Sequence, residues 1–422
     1  MAYINRLSDN ELQRKLNSSG AVLIRGAKAC GKTESAKQFS GSILNVDTDV
    51  QVPALMETAP QRLLLGATPR LIDEWQEQPT LWNYIHHEVD KRGAVAQFIL
   101  TGSANPEESI KMHSGAGRFT TLDMKTLSWQ ELGYSSGKVS MKALLEGGEA
   151  AKIDVVDEPT DLEFIVDKIV IGGFPSLLGK NASQAIDLNR AYIDLLAEVD
   201  MSRVSDVRRD PVKVRNLLRS IARNTATMVE ISTMEIDIHE KETANISRPT
   251  IYEYLDALDR LMITEDQPAW NTHIRSSSSL RKSPKRHFTD VSLSVAALGA
   301  NADSLLADMN FTGFLFESLA THELRVYAQA NDAKVYHYRD SSNLEVDAIV
   351  QKYNGDWAAF EIKLGGSARQ FKQAAASLHK FVSILDDKRV EPPKSLNIIT
   401  GTGISYTRTD GVNVISLASL GK

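Results

Sequence analysis

Residues 21–33, AVLIRGAKACGKT, run from a short apolar strand into a loop bounded by Gly26 and Gly31 and closed by Lys32 and Thr33. The eight positions Gly26, Ala27, Lys28, Ala29, Cys30, Gly31, Lys32 and Thr33 satisfy the spacing G-x-x-x-x-G-K-[ST]. They do so between a strand and a helix, the context that gives the motif its meaning. The glycines let backbone N–H groups curl around phosphates, and the helix starting after Gly31 adds the positive end of its dipole. Cys30 reads as a small loop residue, not a redox group.

Working outward, this stretch sets the chemistry of its neighbours. Lys32 is placed to reach the β and γ phosphates of ATP as a point charge, and the Thr33 hydroxyl to ligate Mg²⁺. In RLIDEWQ, residues 70–76, Leu71 and Ile72 bury a strand and Asp73 emerges at its end, where it would hold the same Mg²⁺ through water. Glu74 is placed to orient or deprotonate the attacking water, which favours hydrolysis over simple binding. A further strand, QFILTGSAN, ends in Thr101, Ser103 and Asn105, each able to sense the γ phosphate; Ser103 is counted with the ATP site. Solvated strand ends are the plain alternative for these residues. Arg118, set among glycines, reads either as a solvated arginine or as a group supplied in trans to the γ phosphate of a neighbouring subunit in a homo-oligomer. Strands and helical stretches alternate from Ala21 to about Gln130, which predicts an α/β unit with a parallel sheet covered by helices.

The chain has 422 residues, enough for two or three domains at roughly 150 residues each. Its single cysteine excludes a disulfide framework, and no apolar run reaches the ~18 residues that span a membrane. The expectation is a cytoplasmic protein without a membrane partner. A net charge of −6 gives no global nucleic-acid signature, so any basic surface is local.

Beyond a Gly, Ser and charge-rich stretch at 135–161, read as a loosely packed linker or insertion, the text is mainly helical. STMEIDIHEKETANISRPTIYEYLDALDRLMITED has the rhythm of a winged helix-turn-helix, and Ser247 and Pro249 mark the start of its second helix. That helix would present Arg248, Thr250, Tyr252 and Glu253 to DNA. The flanking RVSDVRRDPVKVRNLLRSIAR and RSSSSLRKSPKRH concentrate Lys and Arg for salt-sensitive phosphate contacts. Glu253 and Asp256 oppose that approach, and such a module also serves for packing alone.

The last third contains LEVDAIVQKYNGDWAAFEIKLG, residues 344–365, a hairpin turning at Asn354-Gly355. Alternation puts Leu344, Val346, Ala348 and Val350 on one face and Glu345 and Asp347 on the other. On the return strand Ala358, Phe360, Ile362 and Leu364 form the buried set, with Glu361 and Lys363 opposite. Asp347, Glu361 and Lys363 can therefore converge. The two carboxylates would bind Mg²⁺ and Lys363 would position the water, with Glu317 as a further acid. A solvated strand face fits the same short motif.

Taken in order, GAKACGKTESA, LIDEWQ, ILTGSAN and GRFTTLDMKTLSWQEL resemble the AAA+ ATPases that carry a C-terminal domain of unknown function. IVIGGFP, AYIDLLAEVD, SPKRHFTDVSL, GFLFESLATHEL and the pair VDAIV and FEIK extend the likeness over most of the chain. Members usually show an Arg-rich loop where this chain has AKAC, and a glycine where Val291 stands. The resemblance implies a P-loop NTPase (AAA+) domain over 1–134, a helical and winged-helix region over 162–300, and an α/β module over 301–422; it leaves 135–161, the linker or insertion, unaccounted for. That last module is similar to the PD-(D/E)xK restriction-endonuclease fold, with Asp347 as its first acid and Glu361-Ile362-Lys363 as the remainder. The leading expectation is an ATP-hydrolysing, DNA-associated protein that couples nucleotide state to its C-terminal modules. The rival is a nucleotide-dependent switch or scaffold whose nuclease-like domain is inactive and binds protein partners. A small-molecule kinase is disfavoured by the Asp73-Glu74 pair.

Overall fold

The computed structural model describes residues 3–102, 115–203, 209–239, 246–271, 283–386 and 390–422. The first sheet holds β1 (Ala21–Arg25), β2 (Ser42–Asn45), β3 (Arg70–Asp73), β4 (Phe98–Thr101) and β5 (Phe119–Asp123) in the order β2-β3-β4-β1-β5. All four pairings are parallel, as expected. Strands this apolar are covered on both faces. Leu23, Ile72, Phe98 and Leu100 pack with Ile85 and Val89 of the helix Leu81–Arg92 on one side. Val22, Ile24, Leu71 and Ile99 pack with Leu12 and Leu16 of the helix Asp9–Leu16 on the other. The order places β4 between the loop-bearing β1 and the acidic β3, so the C-terminal ends of these three strands share one rim.

The stretch 135–161 is not the loose linker expected. It contains the short strand β6 (Val139–Ser140) and the helix Met141–Glu146, whose Met141, Leu144 and Leu145 are buried in the core of the C-terminal module. The Gly and Ser content of this stretch disguises an apolar spacing of three and four residues that covers the end of a sheet.

Helices Leu162–Ile171, Ala182–Leu195, Pro211–Arg223, Ile231–His239, Arg248–Arg260 and Val291–Leu298 follow. Leu217, Leu218, Ile221, Ile251, Leu258 and Leu293 belong to the apolar core they share. Ser247 caps Arg248–Arg260 by accepting from the Thr250 N–H, with Pro249 in the first turn, as the sequence predicts. An antiparallel pair, β7 (Thr264–Gln267) and β8 (Lys285–Phe288), comes after it.

The last sheet holds β9 (Ala333–Arg339), β10 (Glu345–Lys352), β11 (Trp357–Lys363), β12 (Ser395–Thr400), β13 (Tyr406–Thr407) and β14 (Asn413–Ser416), in the order β13-β14-β12-β11-β10-β9. The strands β9, β10 and β11 form an antiparallel meander, and β12 joins β11 in parallel after the helix Ala368–Ser383. A terminal strand, β15 (Leu420–Gly421), pairs with β6. The helix Met309–Ala330 covers one face of the sheet and Ala368–Ser383 the other, so no face of the hairpin is simply solvated. A register shift between Val346 and Ile349 also breaks the expected alternation on β10. Leu344, Val346 and Ile349 pack toward Leu378 and Phe381, whereas Ala348 and Val350 pack toward Phe316 and Leu319. No helix among the described residues is long and apolar enough to cross a membrane.

Candidate nucleotide-binding site and carboxylate centre

The loop after β1 is shaped by two glycines with different tasks. Gly31 has φ 105°, a left-handed conformation that glycine adopts without strain. Gly26 makes a close approach: a Cβ there would meet the Met124 carbonyl oxygen at 2.3 Å and the Cys30 sulfur at 2.8 Å. Lys32 opens the helix Lys32–Phe39 and is buried, and its Nζ donates to the carbonyls of Gly26 and Ala27, both at 2.9 Å. The ammonium is thereby folded back over the loop that is to hold phosphates.

Thr33 Oγ1 donates to Asp73 Oδ1 at 2.8 Å, and Thr101 Oγ1 donates to the same oxygen from β4. Helix, acidic strand and sensor strand therefore meet at one carboxylate. Thr33 and Asp73 supply hard oxygen donors, which fits Mg²⁺, an ion that keeps several of its own waters. Glu74 sits one residue further with φ 52° and ψ 42°, an uncommon backbone for a non-glycine residue, and its carboxylate accepts from the Gln76 amide. Such strain at a strand end points to function. Ser103 and Asn105 lie outside the described residues.

Arg118 is not brought to this site. Its carbonyl accepts from the N–H of Ala21, level with the start of β1, so the five-residue strand separates it from the loop by about 16 Å. Its exposed guanidinium pairs with Asp90 at 2.8 Å.

Arg6 belongs to the site too, although nothing in the sequence singles it out. This buried guanidinium donates to the carbonyls of Cys30 at 3.0 Å, Lys125 at 2.7 Å and Thr126 at 3.1 Å, and pairs with Glu131 at 3.0 Å. A cavity of about 260 Å³ lies beside it, lined by Tyr3, Ile4, Gly31, Leu127, Pro175 and Leu178 among others. From Lys125 the ionic chain continues: its ammonium pairs with Glu265 on β7, which also pairs with Arg325 of the helix Met309–Ala330 at 3.1 Å. Burial alone would push the Glu265 carboxyl up, but Lys125 and Arg325 hold it down at about 2. A lowered carboxyl stabilises the fold above its ordinary value of 4.5 and loses that contribution as pH falls toward 2. The difference in melting temperature between wild type and Glu265→Gln should therefore be widest above pH 4.5 and close as the pH falls through this window. A gap that stays constant with pH would remove this role.

The second centre joins Asp347, Glu361 and Lys363, as expected, but with partners that were not expected. Lys363 Nζ pairs with Glu361 at 2.8 Å and Asp347 at 3.2 Å, and Asp347 also accepts from the Ile362 N–H at 2.8 Å. Lys285, from β8, is 2% exposed along its side chain and lies 2.6 Å from Glu317, 2.7 Å from Glu345 and 3.6 Å from Asp347. Burial, with Asp347 close by, pushes Glu317 up to about 8 and Glu361 up to about 7. Burial also works against charge on Asp347, but Lys363 and Lys285 hold it below the usual carboxylate range. For Lys285 the three carboxylates outweigh burial and raise its pKa. The expected metal ligands Asp347 and Glu361 are thus already paired with ammonium groups. As placed, this set does not fit a divalent ion, and among the described residues no three His, Cys, Asp or Glu side chains form a group that could hold one.

The expected DNA face is also partly neutralised. Arg209 pairs with Glu253, Arg215 with Asp194 and Glu198, Arg223 with Asp237, and Arg248 with Glu235. Tyr252 is exposed. Most of RSSSSLRKSPKRH falls outside the described residues.

Comparison with known families agrees with the first site. An AAA domain model matches residues 18–133, and two domains of unknown function, DUF8612 and DUF4143, match 162–304 and 312–420. The N-terminal part is accordingly an AAA-type P-loop domain. Among curated proteins the chain is 24% identical over 362 residues to uncharacterized protein Rv2008c of Mycobacterium tuberculosis and to uncharacterized protein Mb2031c of Mycobacterium bovis, covering 83% of this chain and 72% of each relative. Among solved structures, the Walker-type ATPase PABY2304 of Pyrococcus abyssi aligns with 13% identity over 70% of this chain and 96% of its own, at a TM-score of 0.42. The ORC1 protein of Aeropyrum pernix, solved in complex with DNA, aligns with 14% identity over 72% and 95%, at a TM-score of 0.23. The assignment rests on the domain match and the geometry.

Proposed function

We propose that this chain hydrolyses ATP and transmits its nucleotide state to the C-terminal modules. The observation that carries the reading is the convergence of Thr33, Asp73 and Thr101 beside Lys32, with Glu74 next along the acidic strand. Bound Mg²⁺ would neutralise charge on the β and γ phosphates. Lys32 would exchange the Gly26 and Ala27 carbonyls for phosphate oxygens, and Glu74 would orient the attacking water. The cavity beside Gly31, partly apolar through Ile4, Leu127, Pro175 and Leu178, suits the base of the nucleotide. Arg118 lies too far along β1 to serve its own site, so any action on phosphate is in trans, between copies.

DNA association belongs to the same proposal. The helices Ile231–His239 and Arg248–Arg260 followed by β7 and β8 support a winged-helix reading, with Tyr252 outward. ATP turnover measured with and without duplex DNA over a salt series tests it. DNA should raise the rate, and the stimulation should fade as salt rises. A rate indifferent to DNA at low salt removes DNA as partner and leaves the ATPase reading intact.

A second reading, a switch whose nuclease-like module does no chemistry, is favoured by one observation. The helix Met309–Ala330, the meander β9-β10-β11, the helix Ala368–Ser383 and the parallel β12 follow one another in the order αβββαβ, yet the carboxylates of the nuclease-like reading are bound by the protein's own lysines.

A further inference from the structure

The hairpin β7–β8 does more than follow the helix Arg248–Arg260. Gln267 donates its side-chain amide to the carbonyls of Asp347 and Tyr336, both at 2.9 Å, which fixes the hairpin on the backbone of the last sheet beside the carboxylate centre. His287 bonds the Gln267 side-chain oxygen at 3.1 Å and Ser318 at 3.1 Å, holding that amide in orientation. Burial, with Arg325 and Lys285 nearby, keeps this imidazole neutral. Opposite Gln267 in the hairpin register, Lys285 enters the centre with its side chain buried.

We infer that Lys285 takes the place of a divalent cation in the nuclease-like module: its ammonium is the resident cation among Glu317, Glu345 and Asp347, and the module loads no Mg²⁺ or Mn²⁺ while that lysine is in place. Two observations from different elements carry this. One is the carboxylate geometry: Glu317 from a helix and Glu345 and Asp347 from a strand all lie within 4 Å of the same ammonium. The other is the buried ammonium at that point, delivered by a hairpin outside the αβββαβ order. A divalent ion ligated by the same oxygens would sit about 2 Å from them, inside the space the ammonium fills, and the two cations would repel across a few ångströms with little water between. Lys363, by contrast, approaches from the partly open side and leaves the Glu317 and Glu345 oxygens alone. The inference rests on the nuclease-like reading for the choice of cation; the charge geometry stands without it.

The test is Mn²⁺ binding to the full chain without nucleotide, by calorimetry and by loss of the free-ion electron spin resonance signal. Asp73→Asn is present throughout to silence the phosphate-site metal. With Lys285 in place, no Mn²⁺ binding should depend on Asp347. Lys285→Met should gain one bound Mn²⁺ per chain, and the further change Asp347→Asn should remove it. Lys285→Gln, which keeps a donor, repeats this arm if the methionine variant does not fold. Mn²⁺ bound by the lysine-bearing chain and lost on Asp347→Asn would overturn the inference while sparing the nuclease-like reading, and this arm needs no change at Lys285. A folded Lys285 variant that gains no ion would overturn both.

Discussion

Lys32→Ala should abolish ATP turnover, with a fall of roughly 100-fold or more, because it deletes a positive charge placed for the phosphates where water is excluded. The geometry shows how this charge is held ready. The Lys32 ammonium is buried and already held over the loop by the Gly26 and Ala27 carbonyls, so it needs little rearrangement to meet phosphate. Charge-assisted hydrogen bonds contribute roughly 1.5–3 kcal/mol each, and losing two of them weakens ATP binding as well as turnover. Glu74→Gln separates the two effects. The amide keeps the size of the side chain but cannot accept a proton, so turnover should fall by about 10²-fold or more while ATP still binds. Radiolabelled ATP hydrolysis and equilibrium binding of a fluorescent analogue, measured on both variants, decide the matter. Turnover that persists in both removes the ATPase assignment; turnover kept in Lys32→Ala but lost in Glu74→Gln would transfer the charge role to another residue.

What the residues disclose by themselves divides along physical lines. The loop at Gly26–Thr33 and the strand ending at Asp73 are legible because their chemistry is local: a few consecutive residues hold both the backbone geometry and the reactive group. The convergence of Asp347, Glu361 and Lys363 is legible as well, since hairpin alternation reaches across one turn. The faces of β10 are not, because a single irregularity between Val346 and Ile349 resets the alternation and leaves no mark in residue type. Lys285 is hidden for another reason. It sits in a run of serines, lysines and arginines that reads as basic surface, and its burial is decided by carboxylates more than 30 residues further on. Arg6 gives no signal at all, as one arginine before a polar helix; its four partners lie at positions 30, 125, 126 and 131.

Arg6→Ala should be among the most damaging single changes in the chain, and its damage should reach both stability and nucleotide affinity. Glu131 is 2% exposed along its side chain, so removing its ionic partner strands a buried carboxylate, which costs roughly 3–5 kcal/mol. Glu131 keeps the N–H groups of Leu7 and Ser128, which limits but does not cancel that cost. Changing the partner as well should recover part of it: Arg6→Ala with Glu131→Gln is expected to melt higher than Arg6→Ala alone, since the stranded charge is gone. The nucleotide effect has a separate origin. Arg6 ties the Cys30 carbonyl in the phosphate loop to the carbonyls of Lys125 and Thr126. Lys125 in turn holds Glu265, and Thr126 bonds His322 of the helix Met309–Ala330 at 3.0 Å. Without the guanidinium the loop loses the bond that fixes its Cys30 carbonyl, and phosphate binding has to order it again. ATP affinity should therefore fall in Arg6→Ala and stay low in the double variant, even though the double variant regains stability. A purely structural arginine would show the opposite, with affinity recovering in step with the melting temperature, and binding titrations beside thermal melts of the three proteins distinguish the two.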